Sequence, residues 1–315
     1  MKYYIGIDIG GMSVKAGVVT EDGKMLAKRT VETYAKGRTD AFIADIAALA
    51  EETVIAAGVP KSDVLGVGMG VPGTVNPQTG IVTYACNIGF QNTPLVEKFE
   101  KLFSVPTKVA NDADAAALGE VKFGAGKNTS DALMITLGTG VGTGIIINGK
   151  IFSGRHGAGG ESGHTVIVVD GEQCGCGRRG CFEAYASATA LIRQTAAAAE
   201  KYPDSKVAEM IKADGKVSGR TAFRAYKEGD AAGKEVVENY VKYIGEGTAN
   251  LINIFAPEVI LIGGGVANEG EYFIEMIADY VSRHTYGREL NGGFAVKKAM
   301  LGNDAGIFGA AALCM

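Results

Sequence analysis

The sequence predicts a duplicated α/β fold of two lobes with a central cleft, and three observations predict it. The chain has 315 residues, enough for two cores, because a single core stops growing near roughly 250 to 300 residues. Apolar runs that end in glycine-rich turns alternate with stretches of helical periodicity, which is the pattern of an α/β protein. A strand, glycine turn, strand and Asx-Gly turn also occurs twice. Gly17-Val18-Val19 before Asp22-Gly23-Lys24 parallels Gly144-Ile145-Ile146 before Asn148-Gly149-Lys150, a repeat of element order more than of residue identity.

Taken in order, "YYIGIDIG" and "VKAGVVT" read as strands around a glycine turn, and "TEDGK" turns the chain into a third. Phe42, Ile46, Leu49, Thr53 and Ala57 recur at helical spacing between a Thr/Asp cap and Gly58 with Pro60. A buried strand follows near "VLGVGMG", then a loop "VPGTVNPQTG", then a strand ending near Ala110 and an alanine-rich helix headed by Asn111-Asp112. "DALMITLGTGVGTGIIINGKIF" repeats the opening hairpin, and residues 184 to 235 read as helices. Val237, Tyr240, Val241, Ile244, Thr248, Leu251, Ile252 and Phe255 keep helical spacing up to Pro257; "EVILIGGGVA" is a buried strand, and "AVKKAMLGNDAGIFGAAAL" a strand, a turn and a small-residue helix. The expected lobes are residues 1–112, completed by a C-terminal helix at about 302–315, and residues 113–301.

Composition excludes several classes. Thirty-one basic against 35 acidic residues, a formal net charge of −4, give no footprint for nucleic acid. No uncharged apolar run approaches about 18 residues, and "MKYYIGIDIGG" enters a strand at once, so a cytoplasmic protein without membrane segments is expected. Three of five cysteines fall between residues 174 and 181, and such a cluster in a reducing compartment favours metal over disulfide.

Three turns could approach phosphate oxygens through backbone N–H groups: "DIGGMS", "LGTGVGTG" and "IGGGVA". Hairpins need glycine anyway, but three such turns with Asp8 in the first go beyond that need. A carboxylate close to phosphates calls for a divalent cation between them, and magnesium is the natural one. "GMGVPG" spells part of a dinucleotide fingerprint, yet Pro72 and Pro77 deny it the helix that must follow. "GIIINGK" lacks the Ser or Thr of a phosphate-binding P-loop, since Ile151 stands there.

His164-x9-Cys174-x-Cys176-x4-Cys181 supplies four ligands suited to a closed tetrahedral zinc site, with no position open for a reacting water. The zinc is therefore expected to be structural. Glu161 and Glu183 bracket these ligands, so ordering the loop would fix two carboxylates able to hold sugar hydroxyls, although most lone glutamates are merely solvated. Asn111 and Asp112 lie where a strand passes into a helix, a place where open α/β sheets bind ligands and where Asn and Asp are also preferred caps.

Across nearly its whole length the chain resembles the ROK family of sugar kinases and sugar-responsive repressors, within the actin-like ATPase group of ribonuclease H-like folds. Its likeness is to the bacterial ROK glucokinases in particular. The residues that carry it are "DIGGMSVKAGVV", "GVPGTVN", "NIGFQNTPL", "ANDADAAALGE", "GTGVGTGIIINGKIFSGRHGAGGESGH", "CGCGRRGCFEAYAS" and "VILIGGGVA". The resemblance implies Asp112 as general base on a sugar 6-hydroxyl, with Gly73, Asn87, Asn111, Glu161, His164 and Glu183 lining the sugar. It implies Gly10, Gly11, Ser13, Lys15, Gly138, Thr139 and Gly140 at the ATP phosphates, Asp8 near magnesium, Gly264 and Gly265 at the adenosine, and a homodimer. Met12 stands where the family usually has threonine, Phe90 where tryptophan is common and Asp114 where asparagine is common.

The expected function is ATP-dependent phosphorylation of a hexose 6-hydroxyl, glucose first, across a cleft that closes to exclude water. An N-acetylhexosamine or other hexose kinase is the alternative within enzymes. A sugar-sensing regulator is the alternative outside them; ROK repressors carry an N-terminal DNA-binding domain, whereas this sequence opens at the glycine-turned hairpin.

Overall fold

Tyr4, Ile5, Ile7 and Ile9 are buried, which makes β1 (Tyr3–Ile9) the central strand of a five-stranded sheet. The computed structural model describes residues 1–34, 37–287 and 293–315. From β1 the chain turns at Gly10–Met12 into β2 (Ser13–Thr20), then at Asp22-Gly23 into β3 (Met25–Glu32), with both pairings antiparallel. Helix α1 (Thr39–Ala57) buries Phe42, Ile46, Leu49 and Val54 and ends where Gly58 takes a left-handed φ of 66°. Its start corrects the sequence reading: Arg38 occupies the cap position, and no side chain caps the helix. Asp40 instead lies inside the first turn and pairs with Lys98 at 2.6 Å.

β4 (Val64–Val71) runs parallel to β1. The stretch read as a loop then contains β5 (Thr74–Asn76), which with β6 (Ile81–Ala85) and β7 (Phe90–Thr93) makes a small antiparallel sheet. Val75 and Val82 are drawn into the core, and Asn76 Oδ1 accepts the N–H groups of Gln78 and Thr79, closing the turn between them. Helix α2 (Leu95–Phe103) leads to β8 (Thr107–Asn111), parallel to β4, and the next residue opens α3 (Asp112–Phe123).

The second sheet starts with β9 (Ala132–Leu137) and β10 (Val141–Ile147), which turns through Asn148 and Gly149, both at positive φ, into β11 (Lys150–Ile151). After the cysteine loop come α4 (Glu183–Ala186), α5 (Ala188–Lys201), α6 (Lys206–Asp214), α7 (Thr221–Lys227) and the long α8 (Ala231–Phe255). Then follow β12 (Val259–Gly263), α9 (Glu271–His284), β13 (Ala295–Lys298) and α10 (Ala305–Ala312). Among the described residues no helix is long and apolar enough to cross a membrane.

The sheet orders are β3-β2-β1-β4-β8 and β11-β10-β9-β12-β13. In each, the strand that comes first in the chain lies at the centre, with its hairpin partners on one side and later strands on the other. The duplication seen in the two glycine-turned hairpins is therefore a duplication of topology.

The chain divides into two compact units: Met1–Met134 with Gly144–Gly160 and Ala299–Met315, and Ile135–Thr143 with Glu161–Lys298. In the first, α10 lies directly on the sheet backbone. A Cβ on Gly6 would come within 1.8 Å of Ile307 O, and one on Gly68 within 1.7 Å of Ala310 O, so side-chain-free positions permit the contact. In the second, α8 supplies the core with Val237, Tyr240, Val241 and Ile244, and Tyr240 Oη donates to Ala186 O at 2.7 Å.

Candidate functional site

In the first unit the turn between β1 and β2 is built by its own backbone and by one residue beyond β3. Gly10 N donates to Ser13 O at 2.9 Å, Thr33 N donates to Met12 O at 3.0 Å, and Thr33 Oγ1 donates to Gly10 O at 2.7 Å. Asp8 and Lys15 are cross-strand partners, and Lys15 Nζ donates to Asp8 Oδ2 at 3.1 Å and to Asn303 O at 3.2 Å. Gly306, in the first turn of α10, lets that helix end press on the Asp8 carboxylate, since a Cβ there would be 2.7 Å from Asp8 Cγ. The positive end of a helix favours a carboxylate in that place.

Asn87 is brought to the same turn: a Cβ on Gly11 would stand 3.7 Å from Asn87 Cβ. Asn111 does cap α3, its Oδ1 accepting from Ala113 N at 2.8 Å and Asp114 N at 3.3 Å, while its Nδ2 donates to Gly73 O at 3.0 Å. Asp112 is the first residue of α3, and its Oδ1 accepts from Ala113 N at 2.9 Å. Of the unusual residues, Met12 is 88% exposed, Asp114 is buried, and Phe90 is buried edge-on against Phe42.

The second unit holds the other glycine turn. Gly138 N donates to Gly140 O at 3.0 Å, Ala188 N to Gly138 O at 2.7 Å, and Thr189 Oγ1 to Thr139 O at 2.8 Å. Glu183 reaches this turn, its Oε2 accepting from Val141 N at 3.0 Å, and a Cβ on Gly140 would be 2.3 Å from that oxygen. Gly264, at φ 86°, abuts the backbone of Leu137, and Gly265 has open space where a Cβ would lie. Glu161 joins the cysteine loop through its backbone, His164 N donating to Glu161 O at 3.1 Å.

His164, Cys174, Cys176 and Cys181 converge, with one ligand atom from each lying within 4.8 Å of the others. Cys176 Sγ is 3.6 Å from Cys181 Sγ, and Cys174 Sγ is 3.7 Å from His164 Nδ1. A disulfide needs about 2.05 Å, and all three cysteines are free. A tetrahedral zinc with Zn–S near 2.3 Å sets its sulfurs about 3.8 Å apart, so donor type and spacing both fit that ion. Burial pushes the Cys181 thiol up to about 12 and raises that of Cys174, whereas the backbone N–H of Arg178 lowers Cys176.

Glu183 also touches this cluster, accepting from the Cys174 thiol through Oε1 at 3.7 Å. Thr33 and Thr189 were not singled out by sequence reading. They meet their turns from 23 and 50 residues away, and no local pattern carries that information.

The sequence profile of the ROK family matches residues 4–315. The chain is 37% identical over 309 residues to a glucokinase of Halalkalibacterium halodurans, a match covering 98% of this chain and 93% of that protein. It is 34% identical over 238 residues to a xylose repressor of Caldicellulosiruptor bescii, covering 76% and 59%. Its fold matches the crystal structure of a ROK family glucokinase from Streptomyces griseus in complex with glucose and AMPPNP, at a TM-score of 0.81 and 37% identity, over 99% of this chain and 98% of that one.

Proposed function

The chain belongs to the ROK family, and on that premise we propose that it is an ATP-dependent hexokinase-type enzyme that phosphorylates a hexose 6-hydroxyl, with glucose as its preferred sugar. The observation that carries this reading is the pair of glycine turns whose carbonyls are engaged within the protein. With carbonyls turned inward, the N–H groups of both turns are left to address an anion, which suits an enzyme that binds a phosphoryl donor.

Asp112 is the general base. The sugar 6-oxygen attacks the γ-phosphorus, the bond from that phosphorus to the bridging oxygen of ADP breaks, and the hydroxyl proton passes to Asp112. A positioned base is worth on the order of 10² to 10⁴ in rate. The position of Asp112 at the head of α3, with Oδ1 on Ala113 N, supports the role because helix packing fixes its backbone.

Gly73, Asn87, Asn111, Glu161, His164 and Glu183 orient the sugar. Asn111 Nδ2 holds the Gly73 carbonyl, so these two act as one element. Gly10, Gly11, Ser13, Lys15, Gly138, Thr139 and Gly140 receive the phosphates, and Gly264 and Gly265 leave room for the adenosine. Asp8 offers the hard oxygen that a magnesium ion takes, and when bound that ion neutralises charge on the phosphates.

His164, Cys174, Cys176 and Cys181 hold zinc in a structural role, since four protein ligands leave no position for water. His164 faces Cys174 through Nδ1, so Nε2 remains for a sugar hydroxyl.

Release of ADP across a panel of hexoses and N-acetylated amino sugars tests the proposal. Turnover greatest on glucose is expected; preference for an amino sugar corrects the substrate, and sugar binding with ADP formation at background makes the protein a sensor.

A further inference from the structure

We propose that Thr33 and Thr189 are positioning residues, one for each phosphate-binding turn; the inference rests on the kinase reading above. The two turns are tied by the same three-part scheme. One amide closes the turn on itself, Gly10 N to Ser13 O in the first and Gly138 N to Gly140 O in the second. A backbone amide from a later segment holds one carbonyl, Thr33 N to Met12 O and Ala188 N to Gly138 O. A threonine hydroxyl from the same later segment holds another, Thr33 Oγ1 to Gly10 O at 2.7 Å and Thr189 Oγ1 to Thr139 O at 2.8 Å.

The consequence follows from the planarity of the peptide. In a trans peptide the C=O and N–H point in opposite directions, so drawing Gly10 O toward Thr33 aims Gly11 N–H the other way. Drawing Thr139 O toward Thr189 does the same for Gly140 N–H. Glycine flips its flanking peptides readily, and a flipped peptide would present a carbonyl oxygen to a phosphate oxygen. The threonines therefore set which end of the peptide dipole faces the anion. A β-branched side chain suits this, because its stiff χ1 fixes the direction of the hydroxyl.

The neighbouring peptide of the second turn obeys the same rule. Gly140 O turns back to Gly138 N, and Val141 N–H points to Glu183 Oε2 at 3.0 Å, so an anionic oxygen already occupies the place that this peptide addresses.

Thr33→Val removes the hydroxyl and keeps the bond from residue 33 N to Met12 O, and Thr189→Val removes only the hydroxyl bond. Titration of each variant with AMPPNP and magnesium chloride should show about fivefold weaker binding than the parent, because the binding-competent orientation of the peptide is then populated only part of the time. KM for ATP should rise by the same factor with kcat little changed. Thr33→Ser, which keeps the hydroxyl without the β-branch, should recover most of the parent affinity. Glucose affinity should be unaltered in all three and Thr33→Ser should melt with the parent, so that nucleotide binding falls selectively in the valine variants, a pattern that a merely structural role would not give.

Nucleotide affinity unchanged in both valine variants, or a serine variant as weak as the valine one, would overturn the assignment. A parent protein that takes up no AMPPNP overturns the kinase reading itself, and it is seen in the first titration, before any variant is compared.

Discussion

The Cys174 thiol donates to Glu183 Oε1 at 3.7 Å while the other oxygen of that carboxylate accepts from Val141 N at 3.0 Å. A single side chain thus ties the cysteine loop to the second glycine turn. The position of the loop is thereby coupled to that of the turn.

Cys176 is the exposed sulfur of the cluster, whereas Cys174 and Cys181 are buried, so Cys176→Ser tests the metal with the least damage to packing. Elemental analysis of the purified variant should show the zinc lost. Glucose affinity should fall together with it, by about tenfold or more, the scale on which groups around a metal are felt. A zinc-free variant with unaltered glucose affinity would refute the link.

Asp112→Asn is the sharper test of the base, because Asn keeps an oxygen for the bond from Ala113 N that Asp112 Oδ1 now accepts. Turnover should fall by about 10² to 10⁴ with glucose affinity within twofold of the parent. Near-normal ADP release from the variant would remove Asp112 from the mechanism.

Much of the fold was legible because its signals are local. The two hairpins announce themselves through apolar runs and Asx-Gly turns, and the spacing of the cysteines places them in one cluster with His164. What was not legible depends on contacts between distant residues. β5 has three residues, among them a single buried valine, too few for any periodicity to appear. The Thr/Asp pair at residues 39 and 40 has the chemistry of a cap but lies one position too far along, and Asp40 pairs instead with Lys98 on another helix. Asn111 bears out its reading as a cap, its Oδ1 accepting from Ala113 N and Asp114 N, while the bond from its Nδ2 to Gly73 O joins residues 38 apart and leaves no local trace.

Gly68 measures how tightly the C-terminal helix seals the first sheet. A Cβ there would lie 1.7 Å from Ala310 O and 2.4 Å from Ala310 C, both backbone atoms that cannot turn aside. Gly68→Ala should therefore cost about 3 kcal/mol, at the upper end for overpacking, and lower the melting temperature by several degrees in calorimetry. A variant that melts with the parent would mean that α10 lies farther from β4 than described.

Gly138 poses the opposite case. Among the described residues, chain neighbours aside, nothing lies within 4 Å of where its Cβ would be, so packing places no demand on this glycine, and Gly138→Ala should melt with the parent. If the turn takes nucleotide phosphate, that open space is where the anion comes in, and an added methyl group meets the ligand instead of the protein. Affinity for AMPPNP with magnesium should then drop by about tenfold, equivalent to about 1.4 kcal/mol, while glucose affinity holds. Gly68→Ala and Gly138→Ala thus separate two reasons for a glycine, one set by a neighbouring helix and the other by a ligand. A Gly138→Ala protein that binds AMPPNP as the parent does would place the phosphates elsewhere.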